Sequence, residues 1–393
     1  MKKILSLILA VVMLLGLCAC ANTGTPEQTT TVATEPKMDA TATDADIAKL
    51  DSLYEGRTAR YGEMHAHADT GGRSDGKHTL KAWKAHMQEN GVDFATIVDH
   101  KQTLHMKLED WDNAMFIGGS EAGGEVIGSP ATNNRLHYNM LFATVEDFEA
   151  MLNMYLIEFQ FIGDFFAYHN FNVEQMHQLS NNIYANGGLF VHVHPYLDGC
   201  MVSDDPLDYM FGDVMGLEVY RSYYGTDMND EGNQKAYKLW TDLLALGKRV
   251  YATAGSDAHG SLNDVTTCLG VIYAEDTNAK TLLNYMRVGN HVAGPAGIRM
   301  AVGDTQMGGQ GSFAGQRLVV STGEIHAKTY NPTHTYRVDL YDDQGLVFSE
   351  EISGVENEYF AIDANPDAKY YRADVYDVTG SVIVAVGNPI WNA

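Results

Sequence analysis

Two histidines on one short extended segment, His65 and His67, have a spacing that suits a metal site. Alternate side chains of a strand point to the same face, so both imidazoles can reach one ion. Histidines, carboxylates and an open coordination position are what a hydrolytic metal site requires. A single pair of this kind is weak evidence, but further ligand-type residues follow along the chain.

Nine side chains are candidate metal ligands, and nearly all lie at the predicted C-terminal end of a strand or at the start of the next one. They are His65, His67, Asp75, His100, Glu121, His137, His194, Asp257 and His259. In α/β barrels that end of the sheet carries the active site. Six histidines and three carboxylates are too many for one ion but suit two or three, and we expect Glu121 to bridge two of them.

The elements that position these residues alternate between strands and helices over residues 51–298. Buried strands are predicted at 94–98, 115–117, 137–142, 189–195, 215–220 and 250–254, and amphipathic helices at 80–90, 145–155, 173–185, 233–246 and 277–288. Repeated strand–helix units of this kind predict a closed α/β barrel with a parallel sheet.

From residue 299 to residue 393 the pattern changes to short alternating segments separated by Gly, Asp and Asn. This pattern predicts a small C-terminal all-β sandwich domain. The connection at Gly294-Pro295-Ala296-Gly297 is short, so we expect the two domains to pack against each other.

The first 20 residues have a basic start and an apolar stretch, Ile4 to Leu17, that is too short for a stable membrane span. They end in Leu17-Cys18-Ala19-Cys20, which resembles a bacterial lipoprotein signal peptide with Cys20 as the lipidated residue; an ordinary secretory signal is the alternative. Residues 21–50 are rich in Thr, Ala, Pro and acidic residues and are predicted to be a disordered linker. We therefore expect a lipid-anchored protein on the extracytoplasmic side of the cell membrane.

The chain has 393 residues and a formal net charge of −25. Because nucleic-acid surfaces need Lys and Arg against the phosphates, this charge predicts that the protein has none. An anionic substrate can still bind where metal ions supply local positive charge. Besides Cys20, the processed chain keeps Cys200 and Cys268, which form either one bridge or two buried free thiols.

Taken in order and spacing, the motifs closely resemble the PHP (polymerase and histidinol phosphatase) metallohydrolases over about residues 57–298. The motifs are His65-Ala66-His67, Ser74-Asp75-Gly76, Asp99-His100, Ser120-Glu121, His137 on an apolar strand, His194-Pro195 and Ser256-Asp257-Ala258-His259. The chain end, from Tyr370-Tyr371-Arg372 to Gly387-Asn388-Pro389-Ile390, resembles the CehA/McbA branch. One departure is the loop before Asp75, which is longer than the usual family form.

The resemblance implies a distorted (β/α)7 PHP-type barrel that holds two to three divalent metal ions, Zn, Mn or Fe. It implies that His65, His67 and Asp257 hold one ion and that Glu121 bridges it to a second. His137 and His194 would complete the second ion, and Asp75, His100 and His259 would hold the third. Glu121, Asp257 and His194 are the predicted catalytic residues.

This donor set predicts a metal-dependent hydrolase in which a metal-activated water attacks the substrate. Phosphoester hydrolysis is the leading reaction, with an anionic small-molecule ester as the expected substrate. Two alternatives stay open: hydrolysis of a carboxyl ester, carbamate or amide by the same fold, and a non-catalytic surface lipoprotein that binds metal or ligand.

Several residues near these motifs have more than one interpretation. His192 shares a face with His194, and we favour His194 because it precedes the strand-ending Pro195. Glu63 and Asp99 are expected to orient ligand imidazoles. Glu218 has either a site role or a structural one. Lys101, Arg135 and Arg221 are interpreted as surface charges that could also contact a substrate anion.

Overall fold

Seven strands of the first two thirds of the chain form one curled sheet around the candidate ligands. In the computed structural model they are β1 (Thr58–Ala66), β2 (Phe94–Ile97), β3 (Phe116–Ile127), β4 (Arg135–Phe142), β8 (Leu189–Val193), β9 (Val214–Arg221) and β10 (Arg249–Gly255). Their order in the sheet is β10-β9-β8-β4-β3-β2-β1. The sheet curls until the residues after β10 reach β1: the Asp257 N–H donates to the His65 carbonyl over 2.8 Å, and Ala66 bridges Ala258.

The structure describes residues 40–155, 171–222, 227–260 and 268–393, together with residues 262 and 266 and the backbone of β5 (Phe159–Ile162) and β6 (Phe165–Tyr168). The predicted signal peptide 1–20, Cys20 and most of the predicted linker lie outside these residues. Within them, no helix is both long enough and apolar enough to cross a membrane.

One strand of the curled sheet runs against the prediction of a parallel barrel. β4 is antiparallel to both of its neighbours, with Gly123 opposite His137 on one side and His137 opposite Val193 on the other. The physical reason is the length of the connection: residues 128–134 are too few for a crossover to a parallel strand, which needs a dozen or more. A hairpin therefore forms, and Glu121 lies inside the long strand β3 rather than at its end.

Helices cover the outer face of the curled sheet, as the apolar periodicity predicted. They are α2 (Leu80–Asn90), α3 (Val145–Asn153), α4 (Val173–Ala185), α5 (Glu231–Ala245) and α6 (Ala279–Arg287). Helix α2 shows why the sequence forms a helix here. Thr79 caps its first turn, and Gly91 ends it at a φ of 69°. Its buried face is formed by Leu80, Trp83 and Met87. The α/β class is thus as predicted.

A helix forms where part of the linker was predicted. Helix α1 (Asp44–Leu53) begins with a capping box between Thr43 and Asp46, and its Leu50 is fully buried. Asp46 also lies 3.1 Å from the guanidinium of Arg317. The predicted linker 21–50 is therefore wrong for its last residues, because the composition of the whole segment hid a capping box and one apolar residue, Leu50, that is buried.

The chain after α6 forms two layers of strands around a second apolar core. One sheet has the order β14-β13-β16-β19, with β13 at Ala296–Val302, β14 at Thr305–Gln306, β16 at Arg317–Ile325 and β19 at Glu358–Asp363. The other continues the curled sheet from β1 through β11 (Gly270–Ala274), β12 (Val292–Ala293), β21 (Val382–Gly387), β20 (Tyr370–Asp377), β17 (Tyr336–Asp342) and β18 (Gly345–Ile352).

The short strands β7 (Phe171–Asn172), β15 (Gln310–Gly311) and β22 (Ile390–Asn392) pair at the edges. A β region after the barrel is as predicted, whereas the boundary between 298 and 299 stays a prediction. Cys200 and Cys268 are free and buried, which decides between the two alternatives for the thiols.

A buried ion pair joins this C-terminal region to helix α5. Arg372 contacts Asp374, both are almost fully buried, and the Tyr237 hydroxyl of α5 donates to the same Asp374 carboxylate over 2.6 Å. The Arg372 guanidinium also lies over the rings of Tyr341, Tyr237 and Trp240, at 4.1, 5.4 and 5.3 Å from their centroids.

We predict that Arg372→Met lowers the free energy of unfolding by about 3–5 kcal/mol, because it leaves Asp374 buried without its cationic partner. Denaturant titration checks this. The matched control is Lys238→Met, which removes a cation from the exposed Lys238–Asp242 pair and should cost no more than about 1 kcal/mol. Equal effects of the two changes would contradict the prediction.

Candidate metal centre

All nine sequence-predicted ligands converge at one end of the curled sheet. His65 and His67 come from the end of β1, His100 follows β2, Glu121 lies in β3, and His194 follows β8. Asp257 and His259 follow β10, and Asp75 lies in the loop after β1. His137 lies near the beginning of β4, and the antiparallel direction of that strand brings it to the same end of the sheet.

Glu121 is the common contact of five of the histidines. Its Oε1 lies 2.8 Å from His137 Nδ1 and 3.2 Å from His194 Nε2. Its Oε2 lies 3.1 Å from His67 Nε2, 3.4 Å from His65 Nε2 and 3.5 Å from His100 Nδ1. The two oxygens of one buried carboxylate thus face two separate sets of imidazoles, which is the arrangement that a bridging ligand needs.

Two further carboxylates complete the cluster. Asp257 Oδ1 lies 3.3 Å from His67 Nε2, 3.5 Å from His65 Nε2 and 3.4 Å from His259 Nδ1. Asp75 Oδ1 lies 3.2 Å from His259 Nε2 and 3.6 Å from His100 Nε2, at the solvent side of the cluster. The long loop that precedes Asp75 therefore still brings it into place.

The residues fit metal ions. Two groups have ligand atoms that lie within 4.8 Å of one another: His67, Asp75, His100 and His259 form one, and His65, Glu121, His194 and Asp257 the other. Within the described residues, both ring nitrogens of His67 and the Oδ1 of Asp257 are buried without a hydrogen-bond partner. Ligands about 2.1 Å from a shared tetrahedral ion lie roughly 3.4 Å apart, which matches the nitrogen–oxygen separations seen here.

Glu218, whose role the sequence left open, positions two of the ligands. Its Oε1 lies 2.9 Å from His65 Nδ1, and its Oε2 accepts the His194 backbone N–H over 2.8 Å. Glu218 thus holds the ring of one ligand and the backbone of another from the buried end of β9. A carboxylate behind a ligating histidine fixes the tautomer and the ring orientation.

Glu63 and Asp99 also hold the site, but not in the predicted way. Glu63 Oε1 accepts the backbone N–H groups of His65 and Ser256 over 2.8 and 2.9 Å, so it ties β1 to the segment after β10. Burial raises the pKa of Glu63 to about 7. Asp99 accepts the N–H of Ala68 over 2.8 Å. Both carboxylates therefore fix the backbone beside a ligand and do not contact a ligand imidazole.

The structure separates the two histidines of the 189–195 segment. His194 adopts a φ of 30°, which turns its ring to Glu121. His192 packs between Tyr209 and Phe211, at 6.0 and 5.6 Å between ring centroids, and burial lowers its pKa to about 3. Asp257 also has a positive φ, 53°. Such backbone strain in non-glycine residues persists where the surrounding structure enforces it, and it clusters at functional sites.

Gly123 is a part of the site that sequence reasoning missed. It lies opposite His137 in the ladder, and a Cβ there would come within 2.6 Å of the His137 ring. The signal that could have found it is a glycine inside a strand, which often marks a close approach.

A cavity of about 380 Å³ adjoins the metal centre on the β8–β9 side. His194, Glu218 and Arg221 line its inner end, and Tyr196 and Lys235 belong to its outer walls. Arg221 Nε lies 3.6 Å from Asp257 Oδ2, so this side chain joins the cavity to the ligands.

No protein-family model and no curated protein matches the chain. Among solved structures, the chain is similar to the lesion-specific endonuclease PfuEndoQ from Pyrococcus furiosus, with a TM-score of 0.41 and 14% identity over 60% of this chain and 57% of that one. It is also similar to an Endonuclease Q complex with a 27-mer duplex substrate carrying an abasic lesion at the active site, with a TM-score of 0.40, 14% identity and coverage of 60% and 58%. The chain thus matches less than two thirds of either structure.

The expectation of a small-molecule ester substrate and of no nucleic-acid surface does not hold for the second of these structures, which contains a DNA duplex as its substrate. A net charge of −25 is too weak a basis for that expectation, because a total charge does not describe the local field at a cleft. The topology and the ligand set are consistent with a PHP-like fold that binds metal, whereas the CehA/McbA branch stays a prediction.

Protons and metal ions should compete for this centre. Burial opposes protonation of His67 and His194, but other contacts outweigh it. Asp257 and Glu121 raise the pKa of His67 to about 9, and Cys200 and Glu121 raise the pKa of His194 to about 9. These histidines therefore carry protons in the metal-free folded protein at neutral pH. A cation that takes their place must displace those protons.

We predict that the free energy of unfolding of chelator-treated protein falls as the pH rises from about 6.5 to about 9. A raised folded-state pKa means that these histidines stabilise the fold fully below pH 6.5 and lose that contribution as the pH passes 9. Denaturant titrations across this range measure it, and His194→Gln should flatten the slope. A stability that rises through the same range in metal-free protein would contradict the prediction.

Proposed function

We propose that this protein is a metal-dependent hydrolase with a multinuclear site, and that it cleaves phosphoesters. The observation that carries the proposal is the position of Glu121, whose two oxygens face different sets of histidines inside a cluster of nine ligands. A site for one structural ion needs only four ligands. The larger donor set instead suits a reaction centre.

The ligand contacts divide among up to three ions. Glu121 Oε2, Asp257, His65 and His67 would hold one ion, and Glu121 Oε1 would bridge to a second held by His137 and His194. Asp75, His100 and His259 would hold a third. When bound, the ions supply Lewis acidity, which lowers the pKa of a water molecule and offsets negative charge on the substrate.

The protein's own residues fix this arrangement and exclude water from its inner side. Glu121 and Glu218 are almost fully buried, and Glu218 holds His65 and His194 in place. Arg221 stands between Asp257 and the adjoining cavity, so it can contact an anionic oxygen of a bound substrate. The cavity can hold the organic group on one side of the ester.

Charge balance favours phosphoesters over carboxyl esters, carbamates or amides. Two or three divalent ions bring four to six positive charges, and Asp75, Glu121 and Asp257 supply three negative ones. The remaining positive charge suits an anionic phosphoester, whereas a carboxyl ester is neutral. Several ions close together also suit in-line displacement at phosphorus.

We predict that Glu121→Gln reduces phosphoester turnover by at least about 100-fold while the protein stays folded, because a neutral amide cannot balance two cations. Turnover of chromogenic phosphomonoesters, phosphodiesters and carboxyl esters by metal-supplemented protein measures this, alongside elemental analysis. Glu125→Gln, an exposed position on the same strand, is the control and should keep its activity.

Metal-loaded wild-type protein that hydrolyses none of these esters would overturn the proposal and favour a non-catalytic metal-binding protein. Turnover of carboxyl esters alone would favour the other hydrolase class.

We also propose that Cys20 carries a lipid that anchors the protein to the membrane, with the residues that follow as a tether. The support is the sequence Leu17-Cys18-Ala19-Cys20 after a basic and apolar stretch. Cys20→Ser should move the full-length protein from the membrane fraction to the soluble fraction. Retention in the membrane fraction would instead indicate an uncleaved apolar anchor.

A further inference from the structure

Three cationic side chains stand at the outer edge of the metal centre: Arg73, Lys101 and Arg135. Among the described residues, none of them is in an ion pair with a carboxylate. They come from three different parts of the sheet edge, namely the loop after β1, the residue after His100 and the first residue of β4. We call these three residues the basic shelf.

Each residue of the basic shelf is tied to the metal centre or to its supporting loops. The Lys101 N–H donates to the Glu121 carbonyl over 3.1 Å, and Lys101 adopts a φ of 50°. Arg135 Nη2 lies 3.3 Å from His137 Nε2. The Arg73 N–H donates to Gln102 Oε1 over 2.9 Å, and Gln102 is fully buried. Lys101 and Arg73 are thus held through their backbones and Arg135 through its side chain, each beside the ligand cluster.

Each of the three cations lies within two residues of a candidate ligand: Arg73 before Asp75, Lys101 directly after His100, and Arg135 before His137. Those three ligands belong to one cluster, so the three positive charges gather at one edge of it. Cations gathered in this way repel one another unless an anion offsets their charge. In a chain with a net charge of −25, such a local excess of positive charge indicates a binding site for an anion.

The shelf stands beside the bridging carboxylate and not over it. His137 turns Nδ1 to Glu121 at 2.8 Å and Nε2 to Arg135 at 3.3 Å, so an imidazole ring separates the guanidinium from Glu121. A group held between the ions would have that ring between itself and Arg135. The shelf therefore suits a second anionic group, next to the one that reacts.

We propose that the basic shelf binds a second phosphate group of the substrate, so that the preferred substrate is a phosphoester that carries at least one further phosphate. This inference rests on the proposed phosphoesterase function. Arginine and lysine make charge-assisted hydrogen bonds to phosphate oxygens, and an arginine can make two at once. The metal ions would receive the scissile group, and the shelf would set which esters are chosen.

A matched pair of substrates tests the proposal on the metal-loaded full-length protein. One is the para-nitrophenyl phosphodiester of thymidine at its 5′ oxygen, and the other is the same compound with an added 3′-phosphate. Both have the same scissile bond and leaving group. We expect wild-type protein to prefer the bisphosphorylated compound by roughly tenfold or more in kcat/KM, and the preference should weaken at high salt.

The preference should fall towards one in Lys101→Gln and in Arg135→Gln, and Arg135→Lys should restore part of it because it keeps the charge. Lys81→Gln removes an exposed cation from the outer helix α2 and is the control, with preference and activity unchanged. Metal content is measured for every variant. This check matters because Arg135 contacts a ligand, and loss of metal would reduce turnover of both compounds alike.

Three results would overturn the inference. The first is wild-type turnover with no preference for the added phosphate. The second is a preference that survives both substitutions. The third is an equal loss on both compounds in metal-replete variants, which would place the shelf at the scissile group. If metal-loaded wild-type protein hydrolyses neither compound nor any other phosphoester, the proposed function itself fails.

Discussion

The buried carboxylate of Glu121 is the constraint on which this structure depends. A buried charge is tolerated only with close partners, and Glu121 has five imidazoles within 3.5 Å. Those imidazoles come from the ends or beginnings of four other strands, so the sheet must curl to bring them together. The same contacts hold the pKa of the Glu121 carboxyl well below its usual range, against the effect of burial. The curvature of the sheet and the contacts of Glu121 therefore depend on each other.

The direction of β4, which the short connection after β3 sets, also serves this constraint. A parallel strand would bring its C-terminal end to the ligand cluster, and His137 near its beginning would lie at the far end of the sheet. The antiparallel strand places His137 beside Glu121 and, at its first residue, Arg135 beside His137. Gly123 on the neighbouring strand leaves the room that the ring requires. A hairpin of 12-residue and eight-residue strands thus contributes the carboxylate that we propose as the bridge, one candidate ligand and one cation of the basic shelf.

The sequence was sufficient to select the side chains that converge in the cluster, because their chemistry is local. A histidine or carboxylate at the end of an apolar run can be recognised without knowing what faces it, as with His65, His100 and Asp257. The direction of β4 depended on the length of a connection, and the prediction overlooked it. The roles of Glu218 and Glu63 depended on contacts with residues more than 150 positions away, between Glu218 and His65 or between Glu63 and Ser256. Neither residue type nor spacing carries that information.

The C-terminal sheets reach the cavity beside the site although their described residues supply none of the nine candidate ligands. Arg372 and Asp374 contact Tyr237 on helix α5. Near the beginning of the same helix, Asn233 makes two hydrogen bonds with the backbone of Arg221. Its Oδ1 accepts the Arg221 N–H over 3.0 Å, and its amide donates to the Arg221 carbonyl over 2.9 Å. Arg221 in turn lies between Asp257 and the cavity. A buried ion pair in the β region therefore fixes the helix that forms one wall of the cavity. This chain of contacts gives the C-terminal region a physical role in shaping the cavity, separate from the cluster of candidate ligands at the end of the curled sheet.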